Sequence, residues 1–516
     1  MEALVALLLA SCGGDRLPPG NPGTPDVVLV SVDTLRADHV GAWGYARPTT
    51  PFIDALAARG LRYARARAPA PWTLPSHATL LTGRLPARHG AVEDDVAIGS
   101  DTPLLAEGLR SRGVATLGVV SSLFVSSRYG FDRGFDAFED FGIRTPAENL
   151  AGETDAREVV DAVLRLGAAL PPGRPAFVFV HFYDAHYAYD PPAPYATLFD
   201  RAPTRRDPAF RTYAWHLAHP PTARQLEHQI AQYDEAIRYV DDAIRRLSKA
   251  WETAGRTATW IVTSDHGEEF GERGSWGHGH TLFQEQLHVP LVVAGARVPV
   301  GVVQDAVGLQ DLAPRIAAWF GADLPSPDGT PLTCSDPGPT DPGSPRRAFP
   351  SETSRFRTDR YALYRDGLRL GVDLATGRRT LYDLEADPGE LEDLAGVRPD
   401  LVAELETLLW TSYGAPWTTR EAVDLESRGT FLVESQAAAR EIRLEAGRSF
   451  QVVPVDARVR VPGRGPWRPF GGAAPGSGDP VSWAGEAAAV VTLSEADRAR
   501  LEALGYVPSP DDESAP

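Results

Sequence analysis

The run Asp26-Val-Val-Leu-Val-Ser-Val-Asp33 constrains the fold more than any other stretch of this chain. Its centre, 27–32, is almost continuously apolar and β-branched, so the strand it predicts must be covered on both faces. Strands of that kind sit in parallel sheets, where the crossover segments lay helices over both sides. Runs of similar character recur at 115–121, 176–181, 259–263 and 289–294, and helical stretches at 49–60, 102–112 and 226–247 alternate with them. The expectation is an α/β fold, a mostly parallel sheet sandwiched by helices. A smaller carboxyl-terminal α+β subdomain follows, because 361–384 alternates like a small antiparallel sheet and 387–410 has helical spacing.

In open α/β sheets ligands bind beyond the carboxyl ends of the strands, and here those ends carry chemistry. Asp33 closes the first run, Asp265 and His266 follow the fourth, and His181, Asp184 and His186 follow the third. A single Asp or His after a strand is ordinarily a turn residue. Asp33, Asp265 and His266 together suit a divalent cation, whose hard or borderline character takes oxygen and nitrogen ligands. The segment APWTLPSHATLLTG, 70–83, supplies what they would act with. Pro71 and Trp72 bring the chain in extended, and 76–81 reads as the first turns of a helix with Ser76 open to a capping role. Thr73 then stands just before the positive end of that helix, where an oxyanion is favoured.

The 516 residues suffice for one large domain plus additions, and a formal charge of −18 argues against nucleic acid or an anionic membrane as the main partner. Cys12 and Cys334, the two cysteines, supply neither a disulfide framework nor a cysteine metal site. The apolar run 3–10 is too short to span a bilayer and reads as a secretion signal. It ends in Leu9-Ala10-Ser11-Cys12, which resembles the lipobox of bacterial lipoproteins, although Glu2 stands where positive charge is usual. The expectations are a lipid anchor at Cys12, a Gly- and Pro-rich tether, and a place in the bacterial cell envelope; a plain cleaved signal is the alternative.

The motifs VSVDTLRADHVGAWGY, TPFIDALAARG, PWTLPSHATLLTG, VHFYDAHYAYDPP, VTSDHGEEFGERGSWGHGHTLFQEQLHVPLVV and LYDLEADPGELEDLA occur in that order over roughly residues 26–395. Through them the chain resembles the sulfatase family of the alkaline phosphatase superfamily. The resemblance makes Thr73 the nucleophile, with Asp33, Thr73, Asp265 and His266 on one divalent metal, calcium, magnesium or manganese. It puts His186 and His278 around the transferred group and leaving group. His77, His89 and Trp72 are candidate substrate-binding positions, His89 matching a recurrent family position to which the resemblance gives no role. A second, zinc-like site from Asp184, His186 and His278 stays open, and His280 is a neighbour without a role of its own. Trp43, Tyr45, Trp72 and Tyr187 are expected to line an aromatic mouth for a small-molecule or glycan ester.

Three departures from the family pattern redirect the chemistry. Sulfatases carry Cys or Ser where Thr73 stands and convert it to formylglycine; threonine cannot be so converted, so no formylglycine is expected. The family's Asp-Asp pair is Asp33-Thr34 here, and its Gly-Lys-x-His segment is replaced after Gly118 by Val-Val-Ser-Ser-Leu. A threonine must attack directly and form a covalent ester, which suits phosphate, phosphodiester or phosphonate transfer better than sulfate. The expected activity is thus metal-dependent cleavage of phosphate or phosphonate esters over sulfate esters. An arylsulfatase-like hydrolase, a phosphoglycerol-type transferase and a degenerate glycan-binding scaffold are the alternatives. The expected organisation is a signal and tether in 1–25, the catalytic domain in 26–345, the subdomain in 346–417, an unassigned insertion in 418–490, and a terminal helix with an acidic tail in 491–516.

Overall fold

The computed structural model describes residues 24–141, 155–187, 189–201, 219–332, 347–355, 360–373 and 376–413, with short strands between 417 and 483. The leader with Cys12, Cys334 and the expected terminal helix lie outside the described residues. The first half of the chain gives strands β1 (Asp26–Val32), β2 (Leu61–Arg67), β3 (Ala115–Val119), β4 (Ala137–Glu139) and β5 (Ala176–Phe182). The second gives β6 (Ala258–Thr263), β7 (Glu269–Phe270), β8 (Trp276–Gly277), β9 (His288–Val289), β10 (Leu291–Ala294) and β11 (Gly301–Gly308). The main sheet runs β11-β2-β10-β6-β1-β5-β3-β4. Only β10 on that path is antiparallel to its neighbours, and β9 adds antiparallel to β2. The stretch expected as one strand at 289–294 is two, because Pro290 has no N–H for the ladder.

All seven residues of β1 are buried, and they divide between two cores. Val27 and Leu29 face one side, with α2 (Thr73–Thr82), α4 (Leu105–Ser111) and α8 (Leu312–Phe320). Val28, Val30 and Val32 face the other, with α1 (Pro51–Ala58), α5 (Ala156–Gly167) and α6 (Ala223–Thr253). Each buried Val or Leu side chain contributes about 1.5–3 kcal/mol, and the alternation spreads that gain over both layers. Two short helices, α3 (Pro86–His89) and α7 (Gln284–Leu287), cover the connections. Buried acids tie the layers together. Asp241 on α6 accepts the Phe52 and Ile53 N–H groups at the start of α1, both at 2.9 Å. Asp26 accepts from Trp251, Arg256 and the Ala176 backbone.

The smaller subdomain is an antiparallel meander, β12 (Phe349–Thr353), β13 (Arg360–Arg365), β14 (Leu368–Asp373) and β15 (Arg379–Asp383). Helix α9 (Pro399–Ser412) packs Leu405 and Leu409 against Leu363 and Leu370. The helix expected from residue 387 begins only at Pro399. Asp387 instead accepts the Leu391 and Glu392 N–H groups, and Asp393 accepts those of Leu381 and Ala395, so these acids build turns. The first strand of the subdomain is fastened to the large sheet's own chain: Ser351 Oγ donates to Ala68 O at 2.7 Å and Glu352 N to Pro69 O at 3.0 Å. Between 417 and 483 the described strands pair into two four-stranded sheets.

Candidate active site

Helix α2 starts at Thr73, one turn earlier than expected, with Trp72 as its extended N-cap residue at φ −157°. Pro75 is no obstacle in the first turn, where the backbone N–H has no intrahelical partner. Gly83 at φ 68° ends the helix in the left-handed conformation. Three bonds then fix where Thr73 points. Ser76 Oγ donates to Asp265 O at 2.6 Å, which replaces the capping role expected of Ser76. Ser31 Oγ on β1 bonds His77 Nε2 at 2.9 Å, and His77 Nδ1 donates to Thr73 O at 2.9 Å. The helix is thereby locked to β1 and to the loop after β6, and Thr73 Oγ1 comes to 3.4 Å from His266 Nε2.

That loop is equally determined. Ser264 Oγ donates to His266 O at 2.6 Å and accepts Leu35 N at 2.9 Å, joining the ends of β6 and β1. Gly267 has no room for a side chain, since a Cβ there would lie 2.0 Å from Glu285 O. Thr34, at φ 56°, turns the chain so that its hydroxyl donates to Ala185 O at 2.7 Å and its N–H faces Asp265. A β-branched residue in the left-handed region is strained, and such strain concentrates at functional sites.

The result is a cluster in which Asp33, Asp265 and His266 each offer one ligand atom, all within 4.8 Å of one another and all fully buried. Its donor set fits a divalent cation. Asp265 Oδ2 is buried and accepts no hydrogen bond among the described residues. Burial, and next the charge of Asp33, hold the Asp265 carboxyl well above the usual carboxylate range. His266 donates Nδ1–H to Gly267 O at 2.9 Å, which puts the acceptor nitrogen Nε2 among the carboxylates. Burial pushes its pKa well below the ordinary value, so the ring is held neutral, as a metal-binding imidazole must be. Two carboxylates and one neutral imidazole otherwise lack the positive charge such a site requires.

His181 was noted in the sequence only as the end of a strand. It turns its Nε2 to Asp33 Oδ2 at 3.2 Å while Ser121 N approaches its Nδ1, so it orients the Asp33 carboxylate. A histidine on the strand next to Asp33 was the available signal, but register alone could not show which face it took.

His186 and His278 form a second layer, their rings 4.9 Å apart, with His278 4.6 Å from His266. His186 donates Nδ1–H to Tyr187 O at 2.7 Å, and His278 Nδ1 lies 2.9 Å from Glu268 Oε1. Burial lowers both to about 3, and Arg355 adds to the effect on each. Both rings are thereby held neutral, beside the cluster where the resemblance puts them. Glu268 also accepts the Tyr189 hydroxyl at 3.0 Å.

Other expected site residues are placed elsewhere. His77 bonds Ser31 and Thr73 and brings its Nδ1 to 3.3 Å from Asp265 Oδ2, at the border of the cluster, while His89 bonds Thr79, Pro75 O and Ala91 N, so both are buried and brace α2. Trp72 is 1% exposed and packs edge-on against Phe124, which removes it from the aromatic mouth. Trp43 lies beneath Arg62, and the Tyr45 hydroxyl donates to Asp234. Tyr187 stays half-buried beside His186. Asp184 accepts Ala156 N at the start of α5, and the described residues do not gather it with His186 and His278 into a second metal cluster.

The sulfatase family model matches residues 25–322, more than half of the chain and all of the large sheet's described strands. The chain belongs to the sulfatase family. Human arylsulfatase A is 28% identical over 476 residues, covering 79% of this chain and 90% of the relative. Among solved structures, the phosphonate monoester hydrolase of Agrobacterium radiobacter superposes with a TM-score of 0.60 at 19% identity, covering 81% of this chain and all of the other. BT4656 in complex with D-glucosamine-2-N,6-O-disulfate gives 0.63 at 17% identity, covering 75% and 97%. These two establish the fold, α/β with helices on both faces of the sheet. The sulfatase assignment makes the protein an ester-cleaving hydrolase, and the cluster of Asp33, Asp265 and His266 is its candidate metal site.

Proposed function

We propose that this sulfatase-family protein cleaves phosphate or phosphonate esters through Thr73 as a covalent nucleophile. The observation that carries the reading is the buried hydroxyl of Thr73 in the first turn of α2, 3.4 Å from the His266 nitrogen that faces the two carboxylates. A calcium, magnesium or manganese ion held by Asp33, Asp265 and His266 would act as a Lewis acid toward the oxygens of the transferred group. The chain's own residues do the rest. Thr73 Oγ attacks phosphorus in line and its proton passes to a neutral imidazole, with His278 the better placed because Glu268 supports the imidazolium that forms. The same proton then goes to the departing ester oxygen. Water, losing its proton to the imidazole in turn, attacks phosphorus and cleaves the phosphothreonine ester, and the imidazolium returns that proton to Thr73 Oγ, which restores both groups.

Threonine lacks the route by which an aldehyde hydrate expels sulfate, and this favours phosphorus over sulfur at the reacting centre. The substrate class is a small-molecule or glycan ester. The leader ending in Cys12 supports a lipid-anchored place in the cell envelope, to be read from fatty-acid labelling that depends on Cys12. The activity test is turnover of matched nitrophenyl sulfate, phosphate, phosphodiester and phosphonate by the metal-loaded protein, beside Thr73→Ala. The expected pattern is phosphoester or phosphonate preference that vanishes in the variant. A sulfate preference that survives in Thr73→Ala would overturn the proposal.

A further inference from the structure

The carboxyl-terminal meander carries a cation into this site that the motifs of the large domain do not contain. Arg355 follows β12 and is 3% exposed. Its guanidinium lies 4.3 Å from the ring centroid of Trp72, the residue directly before Thr73, and 5.7 Å from that of Phe124. One nitrogen, Nη2, bonds Asp94 Oδ1 at 3.0 Å.

The placement is tied down on both sides of the site. Upstream, the strand carrying Arg355 bonds Ala68 O and Pro69 O, in the segment that leads into Trp72 and Thr73. Downstream, Thr353 Oγ1 donates to Gly279 O at 3.1 Å, between His278 and His280, and accepts the Arg355 N–H at 3.2 Å. Arg355 therefore sits where the nucleophile helix and the His278 loop meet. Its charge is felt there: it helps to keep His186, His278 and His280 neutral. The large domain carries Val-Val-Ser-Ser-Leu after Gly118, where the sulfatase pattern has its basic segment for the anion.

From this geometry we infer that Arg355 binds the anionic, non-reacting oxygens of the transferred group, so that the carboxyl-terminal subdomain completes the active site and sets which anions it accepts. A guanidinium suits the task because it keeps its charge when buried and offers several N–H donors in one plane. Stacking on Trp72 holds that plane in place, and Asp94 sets its rotation. The inference rests on the proposed function for the identity of the anion but not for its existence, and that difference allows a separate test.

The test uses full-length, metal-loaded protein with Arg355→Gln and Arg355→Lys. Inorganic phosphate binding is measured by calorimetry, and kcat/KM is measured on the four nitrophenyl esters. A lost charge-assisted hydrogen bond corresponds to roughly a 10- to 100-fold change. Arg355→Gln should weaken phosphate binding by that factor and lower kcat/KM by the same factor, with the doubly charged phosphate monoester suffering most. Arg355→Lys, which keeps the charge and loses the fork, should lose about fivefold or more in phosphate affinity at an unchanged melting temperature. If the Gln variant does not fold, the Lys variant decides alone. Phosphate affinity within twofold of wild type in a folded variant overturns the inference. Wild-type protein that binds phosphate through Arg355 but turns over none of the four esters would instead sink the proposed function and leave this inference standing.

Discussion

Replacing Asp265 by Asn should make the metal-free protein more stable while abolishing its metal response. The ligand atoms of Asp33 and Asp265 lie within 4.8 Å of each other and both side chains are fully buried. Two charges at that separation repel by about 3.5 kcal/mol at an effective dielectric constant near 20. An amide removes one of them, and its N–H can donate to Asp33. With an unfolding entropy of about 2.1 cal/mol/K per residue over the roughly 340 described residues of the two domains, about 3 kcal/mol corresponds to a rise of about 4 °C in Tm. The effect depends on pH in a definite sense. Burial and Asp33 raise the Asp265 pKa in the folded state, so the metal-free wild type is most favoured below the ordinary carboxylate range and loses that stability as pH climbs through the raised value. The advantage of the Asn variant should therefore widen toward alkaline pH. Saturating metal at a hundred times Kd adds about 2.7 kcal/mol to wild type and little to the variant. Scanning fluorimetry with chelator and with each metal reads both effects. An Asn variant less stable than wild type in chelator above neutral pH would refute the argument that the carboxylates repel and await a cation.

Other consequences are open to simpler assays. Trp72→Ala should cost about 3–5 kcal/mol in denaturant unfolding, because a fully buried indole leaves a cavity. Its KM rise should be common to aryl and alkyl esters, since the loss acts through Arg355; a rise confined to aryl esters at unchanged stability would restore a stacking role. Asp26→Asn should cost about 3 kcal/mol by leaving Arg256 and the first N–H of β5 without their buried carboxylate. Unchanged Tm in that variant would show that the tie between β1, β5 and α6 contributes nothing.

The parts of the site that could be read from sequence are those where local pattern and position on the sheet coincide. The apolar runs of β1 and β6 are long, flanked by Asp33 and by Asp265-His266, and buried on both faces, so periodicity located both the strands and their functional ends. Strand β2 escaped because LRYARAR reads as a polar loop. Its buried positions are Leu61, Tyr63, Ala66 and Arg67, and Arg67 owes its place to the Tyr364 ring 4.4 Å away in another part of the chain. His77 and His89 have the residue type of substrate contacts, yet their partners are a β1 hydroxyl, a hydroxyl of α2 and backbone carbonyl groups of α2. Nothing local distinguishes a ring that braces a helix from one that faces a ligand. Arg355 is the sharper case. It lies 282 residues after Thr73 in the sequence, and the tertiary hydrogen bonds of β12 to Ala68 and Pro69 and of Thr353 to Gly279 bring it beside Trp72.

The central claim, covalent catalysis by Thr73, is tested most directly by acid-quenching the metal-loaded protein during turnover of a nitrophenyl phosphodiester or phosphonate and mapping the adduct by mass spectrometry. The account predicts a peptide spanning 70–83 that carries one phosphoryl or phosphonyl group on Thr73, and none in Thr73→Ala. Turnover at the wild-type rate in Thr73→Ala, or a burst of product with Thr73 unmodified, would contradict it.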